Sequence, residues 1–132
     1  MKMLLLDVEN KEIKMVEANG LNDYYELIGC RCIDIVRRTI GDVEVEIVID
    51  DEGALVNQPK ISAISPEGTP MLYGNLLVAS SRVTDDGELT ELDEDEVEAI
   101  LTWNVATITT SIYKDLIPFL LKLTIKKSCH AT

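Results

Sequence analysis

The stretch from Cys32 to Ile49 reads CIDIVRRTIGDVEVEIVI, and it decides the fold. Two arms rich in β-branched residues, Cys32 to Ile40 and Val43 to Ile49, flank the two-residue turn Gly41-Asp42. Branched side chains pack well on a pleated surface, and a short Gly/Asp connection matches the twist of paired antiparallel strands, so this stretch predicts a β-hairpin. Along the second arm Val43, Val45, Ile47 and Ile49 alternate with Glu44, Glu46 and Val48. That period of two predicts one buried face and one largely wet face.

Working outward, Lys2 to Val8 and Ile13 to Ala18 are apolar segments separated by Glu9-Asn10-Lys11-Glu12, which predicts an opening hairpin closed by Asn19-Gly20. A short helix is expected from about Asn22, as its cap, to Gly29, with Leu21, Tyr24, Leu27 and Ile28 buried. Asp50-Asp51-Glu52-Gly53 ends the central hairpin. The stretch up to Pro70, with Pro59, Pro66 and Gly68, lacks periodicity and is expected to be a long loop with turns such as Pro66-Glu67-Gly68. Met71 to Ala79 is expected to be one strand with a bulge at Gly74-Asn75. A second helix is predicted from about Glu91 to Asn104, capped by Thr90 or Asp93, with Val97, Ile100, Leu101, Val105 and Ile108 at helical spacing. From Ile112 to Lys127 the chain is apolar and basic with Pro118 inside, and either a kinked helix or a strand pair fits. The fold class is therefore α+β: a small domain with an antiparallel sheet built from hairpins, one short helix and one acidic helix in the C-terminal half. Residues 1–104 form the domain, and 105–132 an extension packed on it or at a dimer interface.

Composition restricts function further. The 132 residues are 46% hydrophobic and 27% charged, an ordinary balance for one globular domain. Twenty-four acidic against 12 basic residues give a net charge of −12, a field that repels phosphate backbones and anionic headgroups. Direct nucleic-acid binding is not expected. The apolar run Met3 to Leu6 is far too short for a signal peptide or a span, and Leu116 to Ile125, interrupted by Pro118 and Lys122, also falls short. Three cysteines cannot all pair internally, so free thiols in the cytoplasm are expected.

The blocks Gly29-Cys30-Arg31-Cys32-Ile33-Asp34-Ile35-Val36, Asp50-Asp51-Glu52-Gly53, Gly68-Thr69-Pro70-Met71 and Gly74-Asn75-Leu76-Leu77 carry a family resemblance in their order. They resemble a family of small proteins of phages and mobile elements catalogued only as a domain of unknown function. The likeness runs over roughly residues 1 to 103 and includes the acidic helix, but from Val105 onward the chain departs from the pattern. What the resemblance implies is a context, carriage by a virus or conjugative element, and it brings no catalytic residues. By analogy, small acidic proteins of such elements are often inhibitors of host defence, such as anti-CRISPR or anti-restriction proteins.

Catalytic chemistry finds little footing. His130, the single histidine, stands two residues from the end of the sequence, where a positioned base is not expected. Cys30, Cys32, Cys129 and His130 could supply four zinc ligands, but Cys-x-Cys is not the usual knuckle spacing, and small residues at a strand start are the simpler reading. Asp50-Asp51-Glu52-Gly53 and Asp85-Asp86-Gly87-Glu88 lack the alternating ligands of a calcium loop and are expected to be turns. No metal, cofactor or enzymatic activity is expected.

The densest signal is the set Asp85, Asp86, Glu88, Glu91, Asp93, Glu94, Asp95, Glu96 and Glu98, nine carboxylates with no basic residue among them. Helix-start electrostatics and a solvated face account for part of it. The other reading is a charged interface for a basic nucleic-acid-handling protein, whose phosphate site carboxylates could occupy. The functional expectation is thus a non-catalytic acidic binding protein. The alternative is an accessory protein with a structural or small-ligand role, its acidity serving solubility. A homodimer through Ile112 to Ile125, with its nearby lysines against the acidic helix, would compete for the same charge.

Overall fold

The computed structural model describes residues 1–10, 12–55, 59–64, 70–82, 88–106 and 121–122. In chain order the elements are β1 (Lys2–Asp7), β2 (Glu12–Glu17), α1 (Leu21–Ile28), β3 (Ile33–Ile40) and β4 (Val43–Asp50). There follow a 3-10 turn (Gly53–Leu55), β5 (Ile61–Ile64), β6 (Pro70–Tyr73), β7 (Leu76–Ser80), α2 (Glu94–Ala106) and β8 (Leu121–Lys122). The larger sheet has the order β2-β1-β7-β4-β3, antiparallel throughout. A second sheet has the order β6-β5-β8, with β8 parallel to β5. The α+β class with an antiparallel sheet and two helices is as the sequence predicts.

The central hairpin forms in the expected register, Ile40 facing Val43 across Gly41-Asp42, with Gly41 at φ 63°. Its second arm is not half wet, however. β4 lies between β3 and β7, and both its faces are covered. Leu4, Leu6, Val45, Ile47, Leu76 and Val78 form one core with Ile100 of α2 and Ala63, Ile64 and Leu72 of the second sheet. Met3, Leu5, Val48, Leu77 and Ala79 form another with Tyr24 and Ile28 of α1. Glu46, read as solvated, is 9% exposed. It is accommodated because the guanidinium of Arg37, directly opposite on β3, meets its carboxylate from Nε at 2.9 Å and Nη2 at 2.7 Å. Full burial of each large apolar side chain contributes about 1.5–3 kcal/mol, so the two cores dominate the stability.

Three other expectations need correction. Helix α1 starts one residue before Asn22, after Gly20, with no side-chain cap, and Leu21 is 56% exposed instead of buried. Gly29 ends it in left-handed geometry, as expected. The loop-like middle contains β5, whose four residues are too few to show a period. Met71 to Ala79 is not one bulged strand: β6 and β7 belong to different sheets, and Gly74 at φ 82° turns the chain between them. There the Asn75 side chain accepts from Val8 N–H at 2.9 Å and donates to Leu27 O at 3.3 Å. The turn Pro66-Glu67-Gly68, Ile108, and all of Ile112 to Ile125 except residues 121 and 122 lie outside the described residues.

Candidate functional site

The acidic run folds at the start of α2, and its carboxylates divide by what they touch. Asp93 caps the helix: Glu96 N–H donates to Asp93 Oδ1 at 2.8 Å, and Asp93 N–H donates to Glu96 Oε1 at 3.0 Å. This reciprocal arrangement is a capping box, and its spacing, acid followed three residues later by glutamate, stands in the sequence at Asp93-Glu94-Asp95-Glu96. The helix therefore starts three residues later than expected.

Glu96 is also held from the sheet. Arg82, just after β7, donates from Nη2 to Glu96 Oε1 at 2.8 Å and from Nε to Ser80 Oγ at 2.9 Å, while Ser80 Oγ donates to Glu96 Oε2 at 3.3 Å. Arg82 Nη2 further reaches Glu91 O at 3.3 Å and stands 3.7 Å from Asp93 Oδ2. Thr90 donates its hydroxyl to Arg82 O instead of capping the helix. Glu91 accepts from Lys2 N–H at 2.8 Å and so ties this segment to β1. Asp93, Glu96 and Glu91 are thus structural acids. The cap at Asp93 was expected, but the roles of Glu96 and Glu91 were missed because Arg82 and Lys2 lie outside the run.

Glu94, Asp95 and Glu98 differ. All three are exposed, and their carboxylates have no hydrogen-bond or ion-pair partner among the described residues. Glu88 is exposed on the other side of the sheet, in a depression shared with Leu21, Tyr24, Ile35 and Leu89. Asp85 and Asp86 lie outside the described residues. Of the nine, Glu94, Asp95 and Glu98 are thus exposed carboxylates without a partner among the described residues, beside a structural clamp.

Two of them, Glu94 and Glu98, border a groove of about 700 Å³ between α2 and β2. Met15, Leu92, Val97 and Leu101 supply its apolar wall, and Lys2, Glu91, Glu94 and Glu98 its charged rim. Met15 is 42% and Leu101 39% exposed, so the floor is open to solvent. Leu101 was expected at helical spacing with Ile100, and the two separate: Ile100 is fully buried and Leu101 turns to the groove. Pairing of Met15 opposite Leu4 places it at the sheet margin, a relation visible only once the register is known.

The cysteines do not form a matched pair. Cys30 is half-buried against the α1 core, where burial, with the charge of Asp50 next, pushes its thiol above the usual value, whereas Cys32 is exposed. No group of three His, Cys, Asp or Glu side chains among the described residues is arranged to hold a metal ion, and Cys129 and His130 lie outside them. No helix among the described residues is long and apolar enough to cross a membrane.

An antiparallel sheet with a helix on each face, and an open acidic groove instead of an enclosed cavity, define a small α+β domain. Residues 1–104 match the family described as Domain of unknown function (DUF3846), and the chain belongs to it. The match ends inside α2, two residues short of its last turn residue Ala106. No curated protein and no solved structure matches the chain.

Proposed function

We propose that this chain is a non-catalytic binding protein that presents Glu94, Asp95, Glu98 and the adjoining groove to a basic surface of a nucleic-acid-handling protein. The observation that carries the proposal is the state of those three carboxylates: exposed and unpartnered among the described residues, with Glu94 and Glu98 on the rim of the groove that holds exposed Met15 and Leu101. The helix dipole favours Glu94 and Asp95 in the first turn, but it falls off before Glu98. Glu98 lies four residues from Glu94, a like-charge spacing that costs about 0.2–0.5 kcal/mol. Folding alone gives no reason for it, whereas a basic partner does.

With a net charge of −12, the field steers basic partners in and keeps phosphates out, so the acids can take a place that phosphates otherwise fill. In this reading the chain belongs to a phage or mobile element and acts in the cytoplasm as an inhibitor of host defence. The engagement of Asp93 and Glu96 in the helix cap and with Arg82 supports a reading without catalysis. The open form of both described depressions favours docking over the alternative of an accessory small-ligand role.

The test is affinity capture from the host extract with the full chain as bait. The expected outcome is a retained basic nucleic-acid-binding protein that leaves the bait at raised salt and on addition of duplex DNA. Retention that salt and DNA leave unchanged counts against the proposal.

A further inference from the structure

The outer edge of β3 carries features that the acidic face does not use. In the β3–β4 ladder, Cys32 O accepts from Asp51 N–H at 3.1 Å and Ile40 faces Val43 across the two-residue turn. Even-numbered residues of this arm therefore bond to β4, and the odd-numbered Ile33, Ile35, Arg37 and Thr39 aim N–H and C=O at the edge. No described strand pairs with that edge. Instead it is closed by its own side chains: Ile35 N–H donates to Asp34 Oδ1 at 2.9 Å, and Arg38 Nη1 donates to Arg37 O at 2.8 Å.

We infer that β3 pairs antiparallel with β3 of a second copy of this chain, about a two-fold axis at Val36. The register follows from parity. Edge-facing residues must meet edge-facing residues, and centring on Val36 sets Ile35 opposite Arg37 and Ile33 opposite Thr39 of the second copy. In this register Ile35 N–H and Arg37 C=O, the two groups that side chains hold in one copy, become each other's partners between copies. The released Asp34 and Arg38 then face one another across the axis in a non-hydrogen-bonded pair, where cross-strand side chains stand closest. That ion pair occurs twice by symmetry, on either side of the paired Val36 side chains.

Charge selects this edge over the opposite one. On β3 Arg37 is already paired with Glu46, which leaves Arg38 against Asp34, a neutral balance in a chain of net charge −12. β2, at the other edge, has Glu12 and Glu17 against Lys14, so two copies meeting there would add to the repulsion. The inference is independent of the acidic groove, and its interface differs from the Ile112 to Ile125 segment.

Sedimentation equilibrium on the full chain, with amide hydrogen exchange as a function of concentration, tests it. The expected result is a dimer in which Ile35 and Arg37 amides gain protection as concentration rises, while the Val36 amide is protected throughout. Arg38→Asp should raise the dimer dissociation constant about tenfold or more, because two favourable cross-strand pairs become like-charged. The exchange variant Asp34→Arg with Arg38→Asp should restore dimerisation. A chain that stays monomeric at millimolar concentration overturns the inference. So does a dimer indifferent to Arg38→Asp, or one that the charge exchange fails to restore. Should Arg38→Asp not fold, the exchange variant and the wild-type amide pattern still decide.

Discussion

Arg82 Nη2 lies 2.8 Å from Glu96 Oε1, and this contact joins the end of β7 to the first turn of α2. It is one side of a polar knot that includes buried Ser80 and the capping box of Asp93. The knot aims the helix, and with it the free acids, across the sheet.

Removing the arginine tests that role. Arg82→Ala is expected to destabilise the fold by about 1–2 kcal/mol, as Ser80 and Glu96 lose a charged donor at a partly exposed site. Asp93→Ala should cost about 1 kcal/mol through loss of the cap. Because both act on Glu96, the double variant should cost less than the sum of the two, as read from urea denaturation of all three.

Asp7 closes the first hairpin by accepting from Glu9 N–H at 3.0 Å, Asn10 N–H at 3.1 Å and Asn10 Nδ2 at 2.8 Å. Burial pushes its carboxyl pKa upward, but these bonds and the charge of Lys14 outweigh burial and hold it below the usual value. A depressed pKa means a stabilising contribution that is present above the ordinary carboxylate range and lost as pH falls through the depressed value. Asp7→Asn should therefore lower the melting temperature at neutral pH and flatten its fall on acidification. An unchanged acid profile would show that Asp7 does not contribute.

Gly53 is buried, and a Cβ there would come 2.7 Å from the backbone oxygen of Tyr73. Gly53→Ala should force the 3-10 turn away from β6 and cost about 1–3 kcal/mol. Gly29→Ala meets no atom but must adopt φ 79°, so its cost should be about 1–2 kcal/mol and purely conformational. Thermal melts of the two variants compare these causes. A Gly53→Ala variant as stable as wild type would contradict the close approach at Gly53.

Thiol labelling should be ordered in the same way. Exposed Cys32 is expected to react with a thiol reagent well before Cys30, whose thiol is half-buried with a raised pKa. Mass spectrometry of the time course reads the order, and simultaneous labelling would show that the α1 core opens at Cys30.

Hairpins, the turn at Gly41-Asp42 and the cap at Asp93 were legible because each depends on a few neighbouring residues. What eluded the sequence depends on partners far along the chain. Glu46 looks solvated until Arg37 and the second core are placed, and β5 is too short to show alternation. The acidic run illustrates both sides. Its location on a helix start was legible, but the split between Glu96, bound to Arg82, and the free Glu94, Asp95 and Glu98 required the strand order that returns Arg82 to α2. The groove was not legible at all, because Met15 and Leu101 meet only through the β1–β2 register.

The most direct measurement is the affinity of the captured basic partner for the full chain and for the variant Glu94→Gln, Asp95→Asn, Glu98→Gln. Glu91 is left in place because its carboxylate binds the Lys2 amide. The three substitutions touch no described partner, so stability should stay within about 0.5 kcal/mol of wild type by urea denaturation. Loss of three interfacial charges should weaken binding by about tenfold or more and reduce its salt dependence. Wild-type affinity and an unchanged salt slope in a folded variant would contradict the assignment of this face to a partner.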